Sequence, residues 1–535
     1  MLSNCLLIHN NNSKLKNKIS NKIEFTYNNE DGIDLDYYIT NTILPKINKE
    51  TFDIIIINAN LSQNSIDCYG LILLMHIRMS ISLQGKRFVP ILVESYLPLD
   101  VFLKLHPFSN VFSTSGTYLF LGDNIEAKLS EINGHIKLTD ANFKELFLEK
   151  VNIKLPKDYL SEHSISNEWS IFKWSSIIKI KDESIEKIIQ NTESMLYFKY
   201  LKNKFELEKT VLDEDFSFEI TDNAKVLYID DECHKGWHNI FEHLFTNLEY
   251  ESIGSDFKNK TPEEILKIAK EKIESFQPVI VILDLRLSDS DFEDICPENL
   301  TGAKILSEIK SYNPGIQCIM FTATSRSIYL NYLNKQGIVG YIKKEAPSDK
   351  IISTFDNINN LKELMEISIK NKYLVGIYSE INEMKVKLSG QLTEIDNLLK
   401  QELSIHVSFI FDILNSQKEN KLNYALLTIV KCLEIIKDSL THERGNDVYL
   451  NHQSIPSSTQ CPHTSKTSTK NKLFIILVDK LNYQTISSEA LEVIRIVDTR
   501  NNYIHPNSPG SYINPTEQDI INWVKLLKVF INGIN

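Results

Sequence analysis

Between residues 225 and 356 the chain alternates short strand-like runs with longer segments whose apolar residues recur every three or four positions. Runs of the first kind are typical of strands buried on both faces, and the second spacing is typical of helices. The strand-like runs are KVLYI (225–229), YESI (250–253), VIVIL (279–283), IQCIMF (316–321) and VGYI (339–342). This alternation predicts a doubly wound α/β domain with a parallel sheet at about 222–356.

Polar residues follow four of these runs. They are Asp230, Asp231 and Glu232 after the first run, Asp284 after the third, Thr322 after the fourth and Lys344 after the fifth. In open α/β sheets, ligands bind beyond the carboxyl ends of the strands, so these residues mark a candidate site. Adjacent carboxylates repel by about 4 kcal/mol at about 4 Å, so the acids either spread into water or converge on a cation.

The order of these residues and the lengths between them resemble the receiver domain of two-component response regulators across the whole segment at 222–356. The resemblance implies that Asp284 accepts a phosphoryl group from a histidine kinase or phosphotransfer protein. It also implies a Mg²⁺ ion held by Asp230, Asp231, Asp284 and the backbone carbonyl of Arg286. Oxygen ligands of this kind suit that hard cation.

The resemblance assigns roles to the remaining polar residues. Lys344 pairs with the phosphoryl group, Thr322 donates a hydrogen bond to it and carries the switch, and Tyr341 stands at the position of the family's rotating aromatic residue. Two features depart from the family. Glu345 replaces the usual proline, and the loop at 285–302 is longer and more acidic than usual. The surplus acids either ligate metal or belong to a solvated surface insertion.

The N-terminal segment resembles a degenerate copy of the same unit. Its parallel runs are TFDIIIINANLS (51–62), GLILLMHIR (70–78) and RFVPILVES (87–95). Asn58 stands in place of the acceptor aspartate, Glu94 in place of the threonine, and His9 and Asn10 in place of the acidic pair. An amide cannot form an acyl phosphate. We therefore expect residues 1–125 to form a receiver-like domain with a structural, dimerising or docking role; the alternative is an unrelated α/β domain.

Helical spacing dominates elsewhere. Residues 126–221 are expected to form a helical linker region, and residues 357–535 are expected to form an all-α bundle. The Ser-, Thr- and Lys-rich stretch at 451–472 interrupts that bundle and is expected to be a mobile loop. It contains His452, Cys461 and His463, which lack the second cysteine pair of a zinc site and are predicted to be solvated.

One motif in this helical region carries candidate chemistry. Arg500, Asn501 and His505 form the pattern R-N-x-x-x-H. It resembles the motif of HEPN domains, many of which are metal-independent ribonucleases that act as dimers. A histidine titrating near neutrality serves as a general acid or base, and an arginine holds a phosphate with two hydrogen bonds. The resemblance therefore implies either RNA cleavage by these residues or a HEPN domain that binds without cutting.

Composition narrows the setting. The chain has 535 residues, a length that predicts several domains. Its net charge of −12 argues against a broadly basic face for nucleic acid. Its seven cysteines are scattered and never form a CxxC pair, which favours a reducing compartment. No stretch approaches the roughly 20 apolar residues of a membrane span. We expect a cytoplasmic protein.

Two functional hypotheses follow. In the first hypothesis, phosphorylation of Asp284 switches a HEPN-like output, and that output is RNA cleavage by a homodimer. The phosphorelay of this hypothesis resembles antiviral Detocs systems. In the second, the protein is a non-catalytic phosphate sink or adaptor in the same kind of phosphorelay. No helix-turn-helix or basic reading segment is evident, which disfavours transcription as the output.

Overall fold

The computed structural model describes residues 4–534 except for several short segments. Those segments are residues 11–12, 29–31, 63–66, 123–124, 133–136, 155–161, 181, 206–211, 213–215, 221–222, 293–295, 324–326, 348, 350–352, 452 and 506–512. The chain divides into two compact units. The first comprises Met1–Ser217, His234–Leu244 and Lys343–Asn359, and the second comprises Phe218–Cys233, Phe245–Ile342 and Asn360–Asn535. The four predicted domain boundaries stay predictions.

The first unit contains a five-stranded parallel sheet. Its strands are β1 (Cys5–His9), β2 (Lys22–Glu24), β3 (Ile54–Asn58), β4 (Ile91–Ser95) and β5 (Thr117–Leu121), in the order β2-β1-β3-β4-β5. Side chains alternate between the two faces of a strand. In β1, Leu6 and Ile8 enter one core cluster, whereas Cys5 and Leu7 enter another. The sheet is therefore covered on both faces, as its apolar runs predict.

The described residues of the first unit also form helices. They are α1 (Leu35–Tyr38), α2 (Leu44–Lys49), α3 (Tyr69–Met79), α4 (Leu99–Leu105), α5 (Ile125–Ile132), α6 (Glu162–Ile178), α7 (Glu183–Ser194), α8 (Leu196–Lys204) and α9 (Trp237–Leu244). The buried rings of Trp174 on α6 and Trp237 on α9 meet edge to face, with centroids 5.3 Å apart. The helices α5 to α8 occupy the region predicted to be helical.

The second unit contains another five-stranded sheet. Its strands are β6 (Lys225–Ile229), β7 (Glu249–Ile253), β8 (Ile280–Leu283), β9 (Gln317–Thr322) and β10 (Gly340–Lys343), in the order β10-β9-β8-β6-β7. Helices α10 (Pro262–Phe276), α11 (Thr301–Tyr312) and α12 (Ser327–Lys335) connect them. Numbered within each sheet, both strand orders are 2-1-3-4-5, the flavodoxin-like order. The predicted doubly wound α/β fold is confirmed.

The chain from Thr354 onward is mainly helical, and Asn360–Asn535 belongs to the second unit. The helices of this region are α13 (Thr354–Lys370), α14 (Tyr373–Ser389), α15 (Asn397–Leu414), α16 (Lys421–Leu440), α17 (Thr469–Ile475), α18 (Ser488–Ile504) and α19 (Glu517–Asn532). The last helix begins with a capping box between Thr516 and Asp519. Its inner face, which includes the fully buried Trp523, joins one large apolar core with α14 to α18.

The prediction of an all-α C-terminal region is wrong in one respect. Strands β11 (Thr441–Arg444) and β12 (Asp447–Leu450) form an antiparallel hairpin directly after α16. Arg444 pairs with Asp447, so Gly445 and Asn446 make a two-residue turn, and Gly445 has φ = 64°. This turn needs positive φ, which glycine adopts at no steric cost. The Gly-Asn pair was the overlooked sequence signal.

The stretch at 451–472 also departs from its prediction. Cys461 is fully buried, and its backbone N–H donates a hydrogen bond to Asn471 Oδ1 at 2.7 Å. The hydroxyls of Ser457 and Thr459 both donate to the carboxylate of Asp479. Cys461 is therefore an interior residue rather than a solvated one, whereas His463 is exposed as predicted. His452 lies outside the described residues.

Among the residues that the structure describes, no helix combines the length and the apolar composition that crossing a bilayer requires.

Candidate functional site

Three carboxylates meet at the carboxyl edge of the second sheet. Asp230 and Asp231 follow β6, and Asp284 follows β8, the strand beside it. The register pairs Ile229 with Leu283, so Asp230 and Asp284 leave the sheet side by side. Oxygens from the three aspartates all lie within 4.8 Å of one another. The structure therefore brings together the acids that the sequence singled out.

Hydrogen bonds fix the side chain of Asp230 directly after strand β6. It is fully buried, its Oδ2 accepts a hydrogen bond from the Tyr228 hydroxyl, and its Oδ1 accepts one from the Glu232 backbone N–H at 2.7 Å. Burial, together with the charge and hydrogen bond of Asp230, raises the pKa of Tyr228 well above its ordinary value. The phenol therefore stays protonated and donates. Sequence reasoning missed Tyr228, although residues two apart in a strand share a face.

Asp284 is supported by a close backbone approach. Its Oδ1 accepts a hydrogen bond from the Leu285 N–H at 2.6 Å. Gly302, at the start of α11, lies so near that a Cβ there would sit 2.1 Å from the Asp284 carbonyl oxygen. Only glycine tolerates such an approach. In the first unit Gly70 has the same relation to the Asn58 carbonyl, at 2.2 Å, which supports the predicted internal repeat.

The carboxylate cluster suits a small divalent cation. Mg²⁺ binds oxygen ligands at about 2.0–2.1 Å, so ligands on opposite sides of the ion are about 4 Å apart. The 4.8 Å spread of the three aspartate oxygens is compatible with that geometry after small side-chain adjustments. Elsewhere in the described ranges, no group of three His, Cys, Asp or Glu side chains converges in this way. The role of the Arg286 carbonyl stays a prediction.

The other predicted residues lie near the same ends of their strands. Thr322 ends β9, next to β8, and is buried. Tyr341 lies on the edge strand β10 with 39% of its surface exposed. Lys344 directly follows β10 and is only 3% exposed. The roles of these three residues towards a phosphoryl group on Asp284 stay predictions.

The same edge of the first sheet is closed by its own hydrogen bonds. Glu94 Oε2 accepts hydrogen bonds from the Ser13 hydroxyl at 2.7 Å and from the Asn58 amide at 3.2 Å. Asn10 donates to the Asn60 carbonyl, and the ring of the buried His9 contacts the Asn10 carbonyl. Burial raises the pKa of Glu94, and the hydrogen bonds oppose that shift. This edge offers neither an acceptor carboxylate at Asn58 nor an acidic pair.

The strand registers revise one predicted equivalence. In the first sheet, the residue before Asn58 is Ile57, which pairs with Val93. In the second sheet, the residue before Asp284 is Leu283, which pairs with Met320. Two residues further along β4 and β9 stand Ser95 and Thr322. Ser95, rather than Glu94, therefore matches Thr322, and the predicted equivalence is wrong by one residue. Glu94 is an additional acid in the degenerate site.

Residues 8–120 match the model of the inactive receiver domain family. This segment is similar to a receiver domain of the inactive kind. The matched segment runs from the end of β1 into β5 and so coincides with the sheet in which Asn58 replaces the acceptor. The amide of Asn58, which cannot form an acyl phosphate, agrees with the inactive character in that family's description.

Individual proteins are also similar to parts of the chain. The chain is 24% identical over 170 residues to YesN of Bacillus subtilis (strain 168), described as an uncharacterized transcriptional regulatory protein, across 32% of this chain and 41% of YesN. A CheY-like receiver domain protein from Methanospirillum hungatei JF-1 is 21% identical, with 28% of this chain and 97% of that one covered and a TM-score of 0.20. The receiver domain of NtrX from Brucella abortus is 19% identical, covering 26% and 98%, with a TM-score of 0.19.

Glu345, which departs from the receiver pattern, is a buried residue whose hydrogen bonds and ion pair hold the loop after β10. It is fully buried, and its carboxylate accepts hydrogen bonds from Thr354 Oγ1 at 2.8 Å and Asn357 Nδ2 at 3.1 Å. It also forms an ion pair with Lys173 on α6, and Ser170 donates to its carbonyl at 3.1 Å. The loop after β10 is therefore fixed by side-chain hydrogen bonds where the family uses proline.

Asp291 lies in the long loop after Asp284 and fits neither predicted role for the acids of that loop, metal binding or exposure to solvent. It is 3% exposed, and its carboxylate accepts hydrogen bonds from the backbone N–H groups of Leu287, Ser288 and Thr301 and from the Thr301 hydroxyl. Asp291 therefore neither faces solvent nor belongs to the metal cluster. It ties the loop to the start of α11. The acids Glu293 and Asp294 lie outside the described residues.

The HEPN-like motif is only partly assembled. Arg500 donates to Asn501 Oδ1 at 3.1 Å and lies 3.7 Å from Glu434 Oε1 on α16. Arg500 and Asn501 line a cleft of about 290 Å³ together with Lys470 and several hydroxyl side chains. His505 follows the end of α18, is exposed and does not line that cleft. Within one chain, the structure thus brings Arg500 and Asn501 together and leaves His505 apart.

Proposed function

We propose that the second sheet is a phosphoacceptor receiver domain, which makes the chain a response regulator of a two-component phosphorelay. A histidine kinase or phosphotransfer protein supplies the phosphoryl group. A carboxylate oxygen of Asp284 attacks phosphorus, the P–N bond to the donor histidine breaks, and an acyl phosphate forms. The observation that supports this most is the convergence of Asp230, Asp231 and Asp284 within 4.8 Å.

Phosphoryl transfer requires positioning and neutralisation of charge. Mg²⁺ bound to the three aspartates and the Arg286 carbonyl would supply positive charge beside the phosphoryl oxygens. Asp230, fixed by the Tyr228 hydroxyl, presents its carboxylate in one orientation. Lys344 is proposed to pair with the phosphoryl group. Thr322 is proposed to donate a hydrogen bond to that group, and Tyr341 is proposed to change rotamer in response.

The inactive receiver domain takes no phosphoryl group in this proposal. Its Asn58 amide is neutral and already donates to Glu94. We assign this domain a docking or dimerising role, so that a homodimer or a kinase complex forms through it.

Phosphorylation of the full chain by phosphoramidate tests the proposal. The wild-type chain is expected to gain one phosphoryl group in the presence of Mg²⁺ and none in EDTA. Asp284→Asn removes the nucleophilic carboxylate while keeping its shape, and is expected to gain none. Equal labelling of the wild type and the variant would overturn the assignment.

A second candidate function concerns the output. Arg500, Asn501 and Lys470 line one cleft, which favours a phosphate-bearing ligand such as RNA. In the proposed effector, phosphorylation pairs two HEPN-like domains, and His505 completes the site across the dimer. The competing output is a phosphate sink or adaptor that touches no RNA. The exposure of His505 and the contact of Arg500 with Glu434 favour that adaptor for the isolated chain.

RNA cleavage by the purified chain separates the two outputs. A ribonuclease output predicts cutting that requires phosphodonor and Mg²⁺, and that disappears in both Asp284→Ala and His505→Ala. Intact RNA despite labelling of Asp284 would leave the adaptor. A place in antiviral defence rests on the resemblance to Detocs-like phosphorelays, and phage challenge of cells carrying Asp284→Ala tests it.

A further inference from the structure

A buried chain of hydrogen bonds in the first unit joins a carboxylate, an imidazole and an amine. Asp36 Oδ1 lies 2.9 Å from His76 Nε2, and His76 Nδ1 lies 3.1 Å from Lys199 Nζ. The second oxygen of Asp36 accepts the Leu196 backbone N–H at 2.8 Å, which fixes the carboxylate. Asp36 accepts a hydrogen bond from His76 Nε2, so that nitrogen carries the proton. The other ring nitrogen, His76 Nδ1, faces Lys199 as a hydrogen-bond acceptor.

The amine of Lys199 lies at the wall of a cavity. Its Nζ donates to Thr40 Oγ1 at 2.7 Å, and both residues line a space of about 340 Å³. Ser82 and Lys202 line the same space. This volume falls in the range of about 300–1,000 Å³ that holds small ligands. Lys199, a possible nucleophile by its chemistry, therefore lines a ligand-sized space, and the base His76 contacts it from outside that lining.

The surroundings also keep the amine reactive near neutral pH. Burial lowers the pKa of Lys199 to about 7, although the charge of Asp36 opposes the shift. Burial likewise lowers the pKa of His76, against its hydrogen bond with Asp36. About half of the Lys199 amines are therefore uncharged at pH 7, whereas an ordinary lysine with a pKa of about 10.4 is almost wholly protonated.

We propose that Lys199 forms an imine with small aldehydes or ketones that enter this cavity, with His76 as its base and Asp36 as the residue that orients His76. Lys199 passes a proton to His76 Nδ1, and its nitrogen then bonds to the carbonyl carbon. The His76 imidazolium gives that proton to the carbonyl oxygen, and the attacking nitrogen loses one of its own protons to solvent, which gives a carbinolamine. The hydroxyl group takes up a proton from solvent and leaves as water while the nitrogen lone pair forms the C=N bond. Amine and carbonyl thereby yield a protonated imine and water.

This proposal is independent of phosphorylation at Asp284, and its test uses the full chain. Propanal and glyoxylate serve as neutral and anionic probes, with cyanoborohydride to reduce the imine to a stable amine for peptide mapping by mass spectrometry. Lys199 is expected to be labelled at least roughly tenfold faster than Lys202 at pH 7, since burial lowers the pKa of Lys199 to about 7. Its rate should reach half of its maximum near pH 7.

Lys202 provides the matched control because it lines the same cavity but pairs with Glu193 at 2.6 Å. Lys202→Gln is expected to leave labelling of Lys199 intact, and Lys199→Gln is expected to abolish the fast phase. His76→Gln should slow labelling of Lys199 roughly tenfold. Labelling of Lys199 no faster than that of Lys202 in the wild type would overturn the proposal, and this comparison needs no variant to fold.

Discussion

The side-chain amide of Asn58 donates a hydrogen bond to Glu94 at 3.2 Å, at the edge of the first sheet that corresponds to the Asp284 site of the second. Ser13 donates to the same Glu94 oxygen at 2.7 Å. The first sheet therefore satisfies its polar edge internally. The second sheet instead gathers carboxylates whose mutual repulsion calls for a cation.

Glu94→Gln is expected to stabilise the chain at neutral pH. Burial raises the pKa of Glu94 in the fold, so its contribution to stability is full below about pH 4 and is lost as pH rises through the folded pKa. The gain from a neutral glutamine should therefore appear at pH 7 and vanish near pH 4. Urea unfolding at both values measures it, with the exposed Glu24→Gln as control. A variant less stable than wild type at pH 7 would refute this reasoning.

Tyr228→Phe is expected to weaken Mg²⁺ binding roughly tenfold, because groups that orient metal ligands typically contribute 10–100-fold in affinity. The variant removes only the hydroxyl that donates to Asp230. Isothermal titration with Mg²⁺ measures the change. Tyr312→Phe, at an exposed position on α11, is the matched control and should bind like wild type. Unchanged affinity in Tyr228→Phe would show that the hydrogen bond does not position Asp230.

Asp291→Ala is expected to cost about 3 kcal/mol of unfolding free energy, because it leaves buried backbone N–H groups without an acceptor. Asp289→Ala removes an exposed acid from the same loop and should cost less than about 0.5 kcal/mol. Chemical denaturation of both variants gives the comparison. If the two losses were equal, Asp291 would not be the residue that ties the loop to α11.

Glu345→Gln is expected to destabilise the chain by about 3 kcal/mol, because it leaves the partly buried ammonium of Lys173 without its counter-ion. Replacing both partners, in Glu345→Gln with Lys173→Met, should recover part of the loss. A double-mutant cycle by denaturation quantifies the coupling. Additive losses in the two single variants would argue against a direct interaction.

Much of the fold could be predicted from the sequence, because its strands are apolar runs bounded by polar residues. KVLYI corresponds to β6, and VIVIL contains β8. The convergence of Asp230, Asp231 and Asp284 followed from the rule that ligands bind beyond the carboxyl ends of parallel strands.

The rest depended on tertiary contacts that no local pattern shows. Asp291 looks like a surface acid until the backbone N–H groups around it are seen. His76 and Lys199 are 123 residues apart and meet only because α3 and α8 pack together. Tyr228 looks like one more residue of a buried strand until its hydroxyl is seen to donate to Asp230.

The most direct test of the central claim is the location and stoichiometry of the acyl phosphate. The full chain is treated with phosphoramidate and Mg²⁺, reduced with borohydride and mapped by mass spectrometry, beside Asp284→Asn and Asn58→Asp. We predict one modified aspartate, Asp284, in the wild type and in Asn58→Asp, and none in Asp284→Asn. Modification at another aspartate in the wild type, or persistent labelling of Asp284→Asn, would contradict the account.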